Sequence, residues 1–433
     1  MSILDRRLFV AGAAAALTLP ANAQPAVQPR RKARPMTNEA FSKAQLARMH
    51  DVMAGHVASG RMPGLVTLVS RRGETHVDAI GTLAFGASAP MRRDTLFRIA
   101  SLSKPVTAAA AMMLVEEGRL RLDDPVDQWM PALANRKVLR AIDAALDDTV
   151  PAKRAITLRD LLTFRLGLGA VMVFPAQYPI QKAIEDAGVA PGPYLPQVGP
   201  DELMRRYGSL PLIHQPGEKW LYDTGSHILG IMLARLTGKS LGALLTERIF
   251  APLGMKDTGF HVPEGKLDRL ATAYWTDFKT GERSVFDEAG GRFAKPPAFE
   301  SGSGGLVSTV DDYLAFSRMM LNHGRHGGTR ILSRMSVELM TTDHIAPEQK
   351  AASPFFANFW DNRGWGFGLS VFTRRDGPMG VGSFGWDGGY GTSAYMDPKE
   401  DLTGILMTQR VWDSPKAPDV LTDFWTQAYA AVS

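Results

Sequence analysis

The sequence predicts an α/β protein of the α+β kind, an antiparallel sheet flanked by helices and split by an inserted, mainly helical lobe. Three observations carry that expectation. Residues 65–70 and 75–80 read as two strands joined by the short turn Arg71-Arg72-Gly73-Glu74, so the sheet opens with antiparallel pairing. Helical runs then dominate between residues 101 and 249, separated by Pro- and Gly-rich loops. β-rich, turn-bounded segments return only late, at 366–372, 391–396 and 402–409, where they must complete the first sheet.

Taken in order, the elements begin with a leader. Asp5-Arg6-Arg7-Leu8-Phe9-Val10, an apolar stretch over 11–19 and the small-residue end Ala21-Asn22-Ala23 match a signal peptide at 1–23, with paired arginines of the twin-arginine kind. Its apolar run is too short to span a bilayer, which takes roughly 20 residues, and no later run approaches that length. The expectation is an exported protein, periplasmic or secreted after cleavage near Ala23, without stable membrane insertion. A basic linker at 24–37 follows. Over 38–58, Phe41, Leu46, Met49, Val52, Met53 and Val57 recur at helical spacing. The lobes divide as 38–100 with 290–433 for the sheet and 101–289 for the helical insertion. Residues 419–430 close the chain as a helix.

Composition excludes several classes of function. At 433 residues the chain exceeds one average hydrophobic core, and 45% hydrophobic with 21% charged residues is ordinary for a folded enzyme-sized protein. The net charge of +5 sits entirely within residues 1–35, where Arg6, Arg7, Arg30, Arg31, Lys32 and Arg34 face Asp5 alone. The remainder is neutral, which argues against nucleic acid as a partner, because such binders need basic excess on the folded surface. Zero cysteines remove disulfides, thiolate metal sites and cysteine nucleophiles. The nine histidines show no metal-ligand spacing, so neither metal nor cofactor is expected. Any nucleophile is an oxygen.

Three segments carry chemistry. In Ser101-Leu102-Ser103-Lys104, a helix starting at Ser101 puts Lys104 one turn on and on the same face. A serine hydroxyl needs a neighbouring base, and a lysine with a depressed pKa can serve. Alone the S-x-x-K spacing is weak, since an N-cap serine with an exposed lysine gives the same pattern. Tyr222, in Leu221-Tyr222-Asp223-Thr224-Gly225, offers a phenol that both donates and accepts. Trp386-Asp387-Gly388-Gly389-Tyr390-Gly391 reads as a glycine-rich edge at the start of a strand, able to present an N–H to an oxyanion.

These segments in this order, together with Leu161-Leu162-Thr163, Pro252-Leu253-Gly254-Met255 and Gly304-Gly305-Leu306-Val307-Ser308-Thr309, resemble the serine β-lactamase and penicillin-binding superfamily over about residues 38–430. The resemblance is nearest to the family VIII-type carboxylesterases, relatives of class C β-lactamases. It implies the β-lactamase/DD-peptidase-like fold. It further implies Ser101 as the acylated nucleophile, Lys104 as its proton partner, Tyr222 as the base that later activates water, and an oxyanion hole from the backbone N–H groups of Ser101 and Gly389.

Two departures bear on the substrate. Trp386-Asp387-Gly388 stands where β-lactamases carry K-T-G, so the cation for a substrate carboxylate is missing and Asp387 is expected to repel one. Thr224 stands where those families place an asparagine two residues after the tyrosine. Trp386, Asp387, Gly388 and Thr224 are therefore the expected substrate-binding residues, and a small neutral ester the expected substrate. The alternatives are a β-lactamase or D-alanyl peptidase on the same fold, or a non-catalytic penicillin-binding-type sensor.

Other features have bland readings. Gly238-Lys239-Ser240-Leu241-Gly242 fits G-x-S-x-G, but a helix precedes it, so Gly238 reads as a C-cap and Ser240 as an N-cap. His227 reads as a packing or surface residue. The aromatic, Pro-rich stretches 171–196 and 354–365 read either as walls of a substrate cleft or as loops packed on the body.

Overall fold

The computed structural model describes residues 39–277, 279–412 and 417–433. The expected leader at 1–23 and linker at 24–37 lie outside the described residues. Helix α1 (Lys43–Ala58) turns Leu46, Met49, Met53 and His56 inward, a helical stripe that packs on the closing helix α5 (Asp419–Ala430). Strands β1 (Gly64–Arg71) and β2 (Glu74–Gly81) form the expected hairpin, with Arg71 paired to Glu74. Arg72 and Gly73 both take positive φ, 48° and 81°, as a two-residue turn matched to strand twist requires.

Five later strands complete the sheet: β3 (Arg363–Trp365), β4 (Ser370–Phe372), β5 (Phe384–Gly388), β6 (Thr392–Asp397) and β7 (Leu402–Met407). Their order is β3-β4-β5-β6-β7-β1-β2, every neighbouring pair antiparallel. The returning strands start at Arg363, so residues 290–362 contribute helices, turns and short ribbons rather than strands of this sheet. Glu39–Ser433 makes one compact unit.

Period-two alternation divides the interior. Val66 and Leu68 of β1, Trp386 of β5, Ala394 and Met396 of β6, and Ile405 and Met407 of β7 face the larger core, shared with the helical insertion. Leu65, Val69, Tyr395, Leu402 and Leu406 face the smaller core beneath α1 and α5. Strand β1 is buried along its whole length because both faces are covered.

In the insertion, helix α2 (Ser103–Glu116) and helix α3 (Thr224–Thr237) pack on one another. Helix α4 (Val310–Leu321) lies against β6 and β7. Among the described residues no single helix is long and apolar enough to cross a membrane.

Candidate active site

Ser101 lies not at the first residue of an α-helix, as expected, but inside a tight 3-10 turn, Ala100–Leu102, that feeds α2. Ala100 enters that turn with φ 46°, a left-handed conformation costly for a residue with a Cβ, and the surroundings hold it there. Ile99 N–H donates to Leu306 O at 3.0 Å, Ser103 Oγ donates to Ala100 O at 2.7 Å, and Leu306 N–H donates to Ser103 Oγ at 3.1 Å. The segment around Gly304-Gly305-Leu306 thus pins the turn that carries Ser101.

Lys104 remains one turn from Ser101, and its Nζ donates to Ser101 Oγ at 2.8 Å. Its environment differs from the one the sequence suggests. Lys104 is fully buried, its Nζ lies 2.8 Å from Asp223 Oδ1, and it also donates to Ser303 O at 3.0 Å. Burial, the largest single influence, would lower its pKa, but the Asp223 carboxylate and Tyr222 together outweigh burial and raise it. Lys104 is therefore an ammonium shared among Ser101, Asp223, Ser303 and Tyr222, and not a neutral amine. The expected depressed lysine is replaced by a charged donor because an acid stands beside it.

Tyr222 precedes α3, and the chain before it is laid against residues 161–170. Leu221 N–H donates to Phe164 O at 2.8 Å, Ala170 N–H donates to Tyr222 O at 3.0 Å, and a Cβ on Gly169 would meet Tyr222 O at 2.7 Å. The phenol shares hydrogen bonds with Ser101 and Trp386, and the Lys104 Nζ lies 4.6 Å from its ring centroid. Trp386 Nε1 donates to Tyr222 Oη at 2.6 Å. Burial pushes the phenol up, partly opposed by Lys104. Around it stand Phe164, Trp220, Phe355, Trp365 and Trp386, with ring centroids 5.2 to 6.1 Å away.

The third segment is strand β5 and the loop to β6. Trp386 faces the site, and by alternation Asp387 faces the opposite side of the sheet. There its carboxylate accepts from Ser393 Oγ at 2.6 Å and Tyr395 Oη at 3.0 Å, with Arg363 Nη1 3.8 Å away. The expectation that Asp387 meets the substrate is corrected on that ground. Thr224 is corrected likewise: it is buried, and its side chain hydrogen-bonds with that of Tyr207. Gly388 has a structural reason, since a Cβ there would come 2.5 Å from Ile99 O. Its carbonyl accepts from Gly391 N–H at 2.9 Å, which fixes the plane of the peptide that carries the Gly389 N–H. A Cβ at Gly389 would meet nothing within 4 Å.

Residues the sequence left aside complete the cluster. Asp223 adopts φ 85°, ψ −61° at the N-cap of α3, and its Oδ2 lies 3.3 Å from His227 Nε2. His227 Nδ1 lies 3.0 Å from Ser301 Oγ, and the Ser303 hydroxyl donates to Asp223 Oδ1. His227 is buried and paired, not a surface residue. The i, i+4 spacing of Asp223 and His227 was the available signal. Ser240 sits as expected: its Oγ accepts from Ala243 N–H as the N-cap of the helix Leu241–Leu245, after Gly238 closes α3 at φ 68°.

Residues 49–422 match the Beta-lactamase family. The chain belongs to that family. It is 41% identical over 362 residues to an uncharacterized protein of Mycobacterium tuberculosis, covering 82% of this chain and 88% of that one. It is 29% identical to the esterase EstB of Burkholderia gladioli, covering 86% of this chain and 92% of the esterase. Among solved structures, EstCE1, a hydrolase with promiscuous acyltransferase activity, superposes with a TM-score of 0.75 at 26% identity, covering 89% of this chain and 99% of that one. These relatives support a serine hydrolase of the β-lactamase fold acting on esters or transferring their acyl groups.

Proposed function

We propose that this chain is a serine carboxylesterase that takes the acyl group of a small neutral ester onto Ser101 and passes it to water or to a second alcohol. The observation that carries this reading is the Ser101 hydroxyl, 2.8 Å from the Lys104 ammonium and hydrogen-bonded to Tyr222, with an indole donor beside it where β-lactamases carry a cation.

Donor counting gives the proton path. Lys104 donates to Ser101 Oγ, so the Ser101 O–H points to Tyr222 Oη, which also accepts from Trp386 Nε1. The Tyr222 proton is then left for the substrate. As Ser101 Oγ bonds to the ester carbonyl carbon, its proton passes to Tyr222, the Tyr222 proton passes to the alcohol oxygen, and the carbon–oxygen bond to the alcohol breaks. The reverse relay lets water or an alcohol attack the acyl-enzyme and returns a proton to Ser101. Backbone N–H groups of Ser101 and Gly389 receive the oxyanion, a role supported by the fixed Gly388–Gly389 peptide. Transfer to an alcohol is favoured as a second outcome by the likeness to EstCE1.

The arginine pair and apolar run of residues 1–23 support export of the protein. The deciding experiment incubates the protein with p-nitrophenyl butyrate, nitrocefin and a fluorophosphonate probe. Ester hydrolysis with labelling of Ser101 is expected; rapid nitrocefin turnover supports a β-lactamase instead, and inertness to all three supports a binding protein.

A further inference from the structure

Behind Lys104 lies a buried chain of polar groups with no place in the proton path. Asp223 is 6% exposed and His227 5%, and Ser301 and Ser303 are more deeply buried still. The segment carrying the serines reaches α3 through small residues: a Cβ on Gly302 would meet Ser226 O at 2.8 Å, and one on Gly230 would meet Gly302 N at 3.2 Å. Without glycine at these points the two serines could not approach Asp223 and His227.

The hydrogen-bond directions follow from counting. Ser301 Oγ accepts from the N–H groups of Ser303 and Gly304, both at 3.2 Å, which fills its lone pairs, so its proton goes to His227 Nδ1 at 3.0 Å. His227 is then the neutral tautomer with its proton on Nε2, facing Asp223 Oδ2 at 3.3 Å. Asp223 Oδ1 meets the Lys104 ammonium at 2.8 Å and the Ser303 hydroxyl. Each carboxylate oxygen thus has a donor, and the carboxylate stays charged although buried. The left-handed backbone of Asp223, φ 85°, aims that carboxylate at Lys104 at the cost of local strain.

We propose that Asp223, backed by His227, Ser301 and Ser303, is a positioning residue that keeps Lys104 a charged donor aimed at Ser101 Oγ, which leaves Tyr222 as the acceptor of the Ser101 proton. The proposal rests on the esterase reading above. The titratable groups that face Lys104 and Asp223 are Tyr222, His227 and, more distantly, Tyr207. Burial is the first force on Lys104 and favours its neutral form; Asp223 is the largest force against it. Removing the carboxylate lets the ammonium lose its proton at lower pH.

The test compares wild type with Asp223→Asn, His227→Leu and His227→Gln on p-nitrophenyl butyrate across pH, with thermal melts alongside. In Asp223→Asn, kcat is expected to fall about tenfold or more with KM within about threefold, as loss of a charge-assisted contact implies. The alkaline limb should move to lower pH by about one unit or more. His227→Leu should move the same way by less, and His227→Gln, which keeps an N–H donor, should restore the wild-type profile. If Asp223→Asn does not fold, the His227 pair decides. Superimposable profiles, or activity that rises as Lys104 becomes neutral, overturn the proposal. A wild type that neither hydrolyses the ester nor labels at Ser101 overturns the esterase reading itself, which separates the two failures.

Discussion

The indole N–H of Trp386 donates to the Tyr222 hydroxyl at 2.6 Å, joining the sheet to the helical body beside Ser101 and Lys104. Trp386 therefore does more than replace a cation: it fills one acceptor site of the phenol and sets where the remaining lone pair and proton point. Its ring lies edge-on to Trp365, with centroids 4.7 Å apart, and is 5% exposed, so the donor is held by packing.

Trp386→Phe should keep an aromatic ring in place while removing that donor and part of the indole's buried volume. A neutral hydrogen bond contributes about 0.5–1.5 kcal/mol, so kcat on p-nitrophenyl butyrate should fall about two- to tenfold. Tyr222→Phe, which removes the hydroxyl proposed to carry the proton, should cost about 10²- to 10⁴-fold. Equal losses in the two variants would show that the indole acts through packing and not through its N–H.

Ser101→Ala should abolish both hydrolysis and fluorophosphonate labelling, whereas Ser240→Ala should keep both. Ser240 caps the helix Leu241–Leu245, so its loss should appear in stability, by about 1 kcal/mol. Peptide mapping of the labelled protein checks the assignment; a label on Ser240 would refute it.

How much of this was legible depended on where the information resides. The β1–β2 hairpin and α5 are local: turn residues with positive φ and apolar periodicity specify them. The pairing of Ser101 and Lys104 needed only helix spacing and survives the change to a 3-10 entry. Strand β5 is legible only as a glycine-rich edge beginning a strand, without its extent, because Phe384-Gly385-Trp386-Asp387-Gly388 has little strand propensity and becomes a strand by pairing with β4 and β6. The side of the sheet that Asp387 faces required that register. The cluster around Asp223 was hidden because Ser303, which bonds Asp223, and Ser301, which bonds His227, lie more than 70 residues away in sequence and arrive only through tertiary packing.

Lys104→Ala should lower both turnover and stability. A surface lysine would leave the melt unchanged, but Lys104 is fully buried and its loss strands the Asp223 carboxylate. Breaking one side of a buried ion pair costs about 3–5 kcal/mol. Adding Asp223→Ala to Lys104→Ala should recover part of that loss without restoring turnover, as chemical denaturation of the single and double variants would show. Additive destabilisation would mean that the pair is not coupled as its 2.8 Å separation indicates.

Asp387→Asn should leave substrate preference unchanged. Wild type should favour neutral p-nitrophenyl esters over nitrocefin by about tenfold to a hundredfold in kcat/KM, the value of one missing charge-assisted contact to a β-lactam carboxylate. Repulsion from Asp387 adds nothing to that figure, because its carboxylate lies on the far face of the sheet with Ser393, Tyr395 and Arg363. The substitution weakens hydrogen bonds to a charged acceptor, so it should cost about 1–3 kcal/mol in unfolding free energy while the preference stays within about twofold of wild type. A tenfold gain in nitrocefin turnover by Asp387→Asn would instead mean that this carboxylate reaches the substrate during catalysis, and that β5 presents its other face when the site is filled.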